Sequence, residues 1–197
     1  MTRSSSTVAS STAAPSSSST LKPSSTSTTP TGLPTATAAG TVNIARLPGV
    51  VAKASSSIAK SPPAGAIDGS YGGVSWLGFG NAAQEWVSTG TKGQWLELSF
   101  PAQYTLKDVF LVGRVNYFQT ITSATLNFTD GTVITLPTGV PSSGGHVSLG
   151  AAGLTVSGVR LTVTGTSATT SQAGLSEIEL CASLAFLSLS LLVGGSS

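Results

Sequence analysis

Residues 94–100 read Gln94-Trp95-Leu96-Glu97-Leu98-Ser99-Phe100. Leu96, Leu98 and Phe100 alternate with Trp95, Glu97 and Ser99, so an extended strand here has one apolar face and one mixed face. The period of two recurs downstream. Residues 106–113 are largely apolar and predict a buried strand. Over 121–128, Ala124, Leu126 and Phe128 alternate with Ser123, Thr125 and Asn127. Thr129-Asp130-Gly131 then leads into Thr132–Leu136, a hairpin pattern, because glycine tolerates the positive φ that a tight turn requires. Residues 156–163 and 175–180 complete the set. Glycine and proline punctuate the runs, and no amphipathic helix longer than about two turns fits anywhere. Short strands with turn signals every ~8–12 residues predict an all-β sandwich or jelly roll.

Outward from these runs the composition changes. Residues 1–40 contain 22 Ser or Thr, with Pro15, Pro23, Pro30 and Pro34 among them. Such a segment buries too little apolar surface to offset chain entropy, and disorder is expected. Ser/Thr with spaced proline is also the composition of O-glycosylated stalks, with a plain flexible linker as the alternative. All seven carboxylates lie in the stretch 41–181, a normal size for one domain with its own core. Residues 182–197 are an apolar tail; its run from 182 to 193 is too short to span a bilayer of ~30 Å as a helix. Met1-Thr2-Arg3 leads into Ser and Thr with no apolar run, so an export signal is expected upstream of this sequence.

Charged residues make up 8% of the chain and the net charge is +2. Arg46, Lys53, Lys60, Lys92, Lys107, Arg114 and Arg160 stand singly, which excludes a nucleic-acid face built on clustered cations. One histidine, His146, rules out a multi-histidine metal site, and one cysteine, Cys181, rules out a disulfide within the chain.

Read in order, a series of short motifs is shared with a known superfamily. They are Asn43-Ile44-Ala45, Ala54-Ser55-Ser56, Ala66-Ile67-Asp68-Gly69, Glu85-Trp86-Val87-Ser88, Gln94-Trp95-Leu96-Glu97-Leu98, Val112-Gly113-Arg114-Val115-Asn116, Phe128-Thr129-Asp130-Gly131 and Gly174-Leu175-Ser176-Glu177-Ile178-Glu179. Together they resemble a galactose-binding-like domain, the superfamily of discoidin and coagulation-factor type C domains and of family 32 carbohydrate-binding modules. Secreted microbial, often fungal, members are the nearest likeness. The resemblance implies an eight-stranded jelly-roll β-sandwich with ligand loops at one end and often a structural calcium near the closing strand. Galactose-binding members often use a loop histidine. His146 lies in a late Gly-rich stretch, so that role is not carried over to it.

Two sets of residues carry candidate chemistry. The resemblance implies that Asp68 and Glu177 ligate Ca2+ together with backbone carbonyls, which suits an ion wanting six to eight oxygens. The alternative is that Asp68 caps a turn and Glu177 pairs with a buried arginine such as Arg160. For sugar, Arg114 and Asn116 offer a planar guanidinium and an amide able to bridge neighbouring hydroxyls. Tyr117 and Phe118 beside them, and Trp76 and Phe79 in the Gly-rich loop, offer rings to stack on a pyranose. The alternative makes Arg114 an ion-pair partner and the rings packing groups. Trp86 and Trp95 read as core. Asn127-Phe128-Thr129 is an N-glycosylation sequon, with Asn127 on the face opposite Leu126 and Phe128.

Nothing in the sequence marks a catalyst. It has no Gly-x-Ser-x-Gly elbow and no phosphate loop, and the Gly-Gly-His setting of His146 offers no oriented base. Cys181 closes a strand and reads as buried. The expected function is a non-catalytic module that binds a cell-wall or extracellular glycan, secreted and linked to a domain outside this sequence. A protein-adhesion or structural domain without a sugar, and an accessory domain of a secreted carbohydrate-active enzyme, are the other readings.

Overall fold

A computed structural model describes residues 40–75, 77–116 and 119–183. The expected linker over 1–40 and most of the tail over 182–197 lie outside these residues. The fold is all-β and antiparallel, with no α-helix among the described residues. Nine strands are present among the described residues: β1 (Thr41–Asn43), β2 (Val51–Ala54), β3 (Trp86–Val87), β4 (Trp95–Gly113), β5 (Ile121–Phe128), β6 (Val133–Leu136), β7 (Gly145–Ser148), β8 (Leu154–Thr166) and β9 (Gly174–Ser183). Short 3-10 turns occupy Ile44–Arg46, Pro63–Ile67 and Ala82–Gln84.

The strand that opened the sequence reading organises the whole. Residues 94–100 and 106–113 predict two strands, but β4 is one continuous strand of 19 residues. Pro101 does not end it. The pairing with β8 shifts register between Ser99 and Tyr104, where Pro101, Ala102 and Gln103 are exposed. A proline that donates nothing to the ladder is tolerated at such an irregularity. The first half of β4 pairs with β2 and β8; the second half pairs with β9 and β7. One strand therefore belongs to two layers. The first layer runs β2-β4-β8-β5-β6, and the second sets β9 between the second half of β4 and the short strands β1 and β3.

The inner faces meet in one core. Leu96 and Leu98 from β4, Leu126 from β5 and Leu161 from β8 pack with Ile178 and Leu180 from β9 and Leu111 from the second half of β4. All are essentially inaccessible. The β5–β6 hairpin has the expected form: Asn127 pairs with Val133, and Gly131 turns the chain at φ +89°. Trp86 is fully buried, as its sequence position suggests. Trp95 is only half-buried, because it points to the outer face, where the Arg160 guanidinium lies 4.4 Å from its ring centre.

On the outer face of the second layer, the 3-10 turns Ile44–Arg46 and Pro63–Ile67 and the residues from Asp68 to Tyr71 cover β9. This explains why β9 is buried on both faces and reads as a nearly continuous buried run. Glu177, Glu179 and Cys181 point outward on β9 yet are shielded from water by that cover.

Candidate functional site

Glu85 joins the two parts of the chain that the sequence reading singled out for sugar. It follows the 3-10 turn Ala82–Gln84, immediately before β3, and is 1% exposed. Its carboxylate accepts from Arg114 Nε at 2.8 Å and Nη2 at 3.0 Å, a bidentate pair. Glu85 Oε1 also accepts from the backbone N–H of Val74 at 3.3 Å, which ties the Gly-rich loop to the same pair. Arg114 Nη1 donates to Gln119 Oε1. Its aliphatic stem packs against Gly174, where a Cβ would lie 2.8 Å from Arg114 Cδ and 2.2 Å from the Trp86 carbonyl. Glycine is thus required at the first position of β9 by the close approach of two neighbours.

Arg114 is accordingly the ion-pair partner that the structural alternative described, and through Glu85 it is joined to the backbone of the Gly-rich loop at Val74. Tyr71, Leu77 and Phe79 in the segment 70–85, and Val115 next to Arg114 in the chain, expose apolar surface, Phe79 most of all at 74%. Trp76, Tyr117 and Phe118 lie outside the described residues. Glu85 was missed as a site residue, although it stands in the Glu85-Trp86-Val87-Ser88 motif. Its role depends on a contact with a residue 29 positions away.

The second cluster sits under the covering segment. Glu177 is fully buried; its Oε2 accepts from Gly69 N–H at 3.2 Å, while Oε1 has no hydrogen-bond partner. Burial, and next the charge of Asp68, push its carboxyl up to about 9. Asp68 is also raised, chiefly by burial, against the lowering effects of the Ser70 N–H and Arg46. The Ser70 bond to Asp68 Oδ1 is 2.7 Å long, so Asp68 does close a turn. Gly69 takes φ +80° there, and a Cβ on it would strike the Arg46 guanidinium at 2.5 Å. Arg46 is the cation facing this pair. Arg160 is not: it pairs with Glu97 on the other layer, which overturns the Glu177–Arg160 alternative. Two residues along β9, Glu179 Oε1 accepts from the Tyr71 hydroxyl at 2.6 Å and Oε2 is buried without a partner. That bond, with burial, pushes the Tyr71 phenol up to about 12.

Asp68 and Glu177 are thus neighbours, two carboxyls from which a Ca2+ shell would have to be built. Glu177 Oε1 is a buried oxygen with no donor beside a second carboxyl, and burial there favours the protonated form. No group of three or more His, Cys, Asp or Glu side chains able to hold a metal occurs among the described residues, so backbone carbonyls would have to complete the shell.

His146 corrects the sequence reading in another way. It is not an unoriented ring. Its Nδ1 lies 2.6 Å from Asp108 Oδ2, and its ring packs 4.5 Å from Phe110, on which Tyr71 sits edge-on. Strand pairing explains this, since β7 sets His146 opposite Phe110.

Solved structures of the same fold were found. One is the family 32 carbohydrate-binding module of Clostridium perfringens NanJ in complex with galactose, at 13% identity and TM-score 0.51, covering 67% of this chain and 93% of that one. Another is a Streptococcus pneumoniae fucose-binding module, SpX-3, at 17% identity and TM-score 0.55, covering 70% and 96%. A third is chitosan-binding module 1 of a Paenibacillus sp. chitosanase/glucanase, at 23% identity and TM-score 0.52, covering 66% and 92%. These likenesses show the fold alone, a β-sandwich of the kind these modules share. No curated protein matches the sequence. No helix among the described residues is long and apolar enough to cross a membrane. Residues 43–181 match the family described as Domain of unknown function (DUF7402), and the chain belongs to that family.

Proposed function

We propose that this domain is a non-catalytic, extracellular carbohydrate-binding module whose ligand docks at the loop end around Arg114, Asn116 and the segment 70–85. The observation that carries the reading is the Glu85 bridge. It fixes a buried arginine and the backbone of an aromatic-bearing Gly-rich loop to one point, as a pre-set binding edge needs. Exposed Phe79, with Trp76 and Tyr117 as further rings, supplies the stacking surface. Solved modules of the same fold bind galactose, fucose or chitosan, which supports a glycan without naming one. Ca2+ at Asp68 and Glu177 would act structurally, holding the covering segment to β9.

The test is retention on insoluble polysaccharides and a glycan array. Phe79→Ala is the clean variant, because an exposed ring can be removed without loss of packing. It should weaken binding by about tenfold, the worth of one good ring contact. Arg114→Ala would also strand the Glu85 carboxylate and test folding as much as binding. No retention of the parent protein on any polysaccharide would overturn the reading. For the metal, Ca2+ should raise the melting temperature of chelator-treated protein and leave Glu177→Gln unchanged.

A further inference from the structure

The outer face of the β2-β4-β8-β5-β6 layer carries a groove of about 490 Å³, which shares no lining residue with the loop end. Its volume lies within the range of small-molecule sites. Strand register builds it. Glu97 on β4 pairs with Arg160 on β8, and Arg160 with Asn127 on β5. In the next row Ser99 pairs with Gly158, which sets backbone on the floor of the groove. A Cβ at Gly158 would lie 2.8 Å from the Leu98 carbonyl and 3.3 Å from Thr129 Cγ2, so the floor there is bare backbone.

The walls are held in place before any ligand arrives. Arg160 donates to Glu97 Oε2 from Nε at 2.7 Å and lies over the Trp95 ring. Asn127 Nδ2 donates to Thr125 Oγ1 at 3.1 Å and to the Arg160 carbonyl at 3.4 Å, which leaves Oδ1 as an acceptor. Thr129 Oγ1 accepts from Ser157 N–H at 2.9 Å, so its own proton can be donated. Ser99 and Thr162 add hydroxyls.

This chemistry selects a class of ligand. The two charges in the lining belong to one ion pair and cancel, so neither an anion nor a cation finds an unmet partner. The face of Trp95 is covered by Arg160, so an apolar ligand finds no open aromatic wall. What remains is a shallow polar floor with interleaved donors and acceptors, matched by a neutral molecule rich in hydroxyls. We propose that this groove is a second glycan site, for a short neutral oligosaccharide, distinct from the loop end and independent of it.

Amide shifts of the full-length, 15N-labelled protein expressed in bacteria would test it, with cello-, xylo-, manno- and chito-hexasaccharides as probes. One of them should move residues 97–99, 127–129 and 157–162 saturably. Ser99→Tyr, an exposed substitution that puts a ring into the groove, should weaken those shifts at least tenfold, and Phe79→Ala should leave them unchanged. Movement confined to the loop end would overturn the groove while sparing the function proposed above. Movement of the groove alone would do the reverse. No movement in this set with any probe overturns the second site. Because Asn127 lies in the groove wall, full N-glycosylation there in protein secreted from a eukaryotic host would also overturn it, since the groove would then be filled by the protein's own glycan.

Discussion

At the scale of single residues, the buried carboxyls Glu85 and Glu177 are accommodated in different ways. Glu85 has a bidentate arginine and a backbone N–H. Removing one partner of such a pair leaves a buried charge unmet, so Glu85→Gln should cost about 3–5 kcal/mol in urea unfolding. The double variant Glu85→Gln with Arg114→Met should recover part of that loss, because both charges are then gone. Glu177 has one backbone donor and a bare oxygen. Its carboxyl is raised to about 9 from 4.5. A raised folded value means the folded state holds a proton that the unfolded chain has released. The stability this gives is complete below about pH 4.5 and is lost as pH rises towards 9. The melting temperature of the metal-free protein should therefore fall across that window, and Glu177→Gln should flatten the fall. A profile of melting temperature against pH in chelator checks both.

Among the elements, β4 and β9 carry the site. β9 places Glu177 and Glu179 on its outer face and Ile178 and Leu180 on its inner face, by simple alternation. Its first residue, Gly174, is where Trp86 and Arg114 approach most closely. Gly174→Ala should cost about 1–3 kcal/mol through overpacking, and should weaken glycan retention by displacing Arg114. Denaturant titration and the polysaccharide pull-down read the two effects separately. Alternation along β4 was legible from Leu96, Leu98 and Phe100. Its continuity through Pro101 was not, because whether a proline ends a strand depends on which neighbour would have needed its N–H.

For the whole molecule, the sharing of β4 between layers has a thermodynamic consequence. Neither layer can separate without breaking the strand common to both, so unfolding should be a single transition. Tryptophan fluorescence, which includes buried Trp86, and far-ultraviolet circular dichroism should give coincident denaturation curves. Leu98→Ala or Leu161→Ala, in the core where the layers meet, should shift that transition by about 2–5 kcal/mol with the slope unchanged.

The sequence by itself determined the sandwich, because a two-residue period leaves each strand one face to bury and only another sheet can cover it. It also brought forward Arg114, a planar cation at the end of an apolar run, while Asp68 and Glu177 came forward through the resemblance of their motifs. What only the tertiary structure decided is partnership. Glu85 rather than a ligand holds Arg114, Arg160 serves Glu97 and not Glu177, Asp108 orients His146, and Gly158 and Asn127 line one groove. Each of these joins residues 29 or more positions apart. Pairings at such separations are set by strand register and crossing, which local periodicity does not encode.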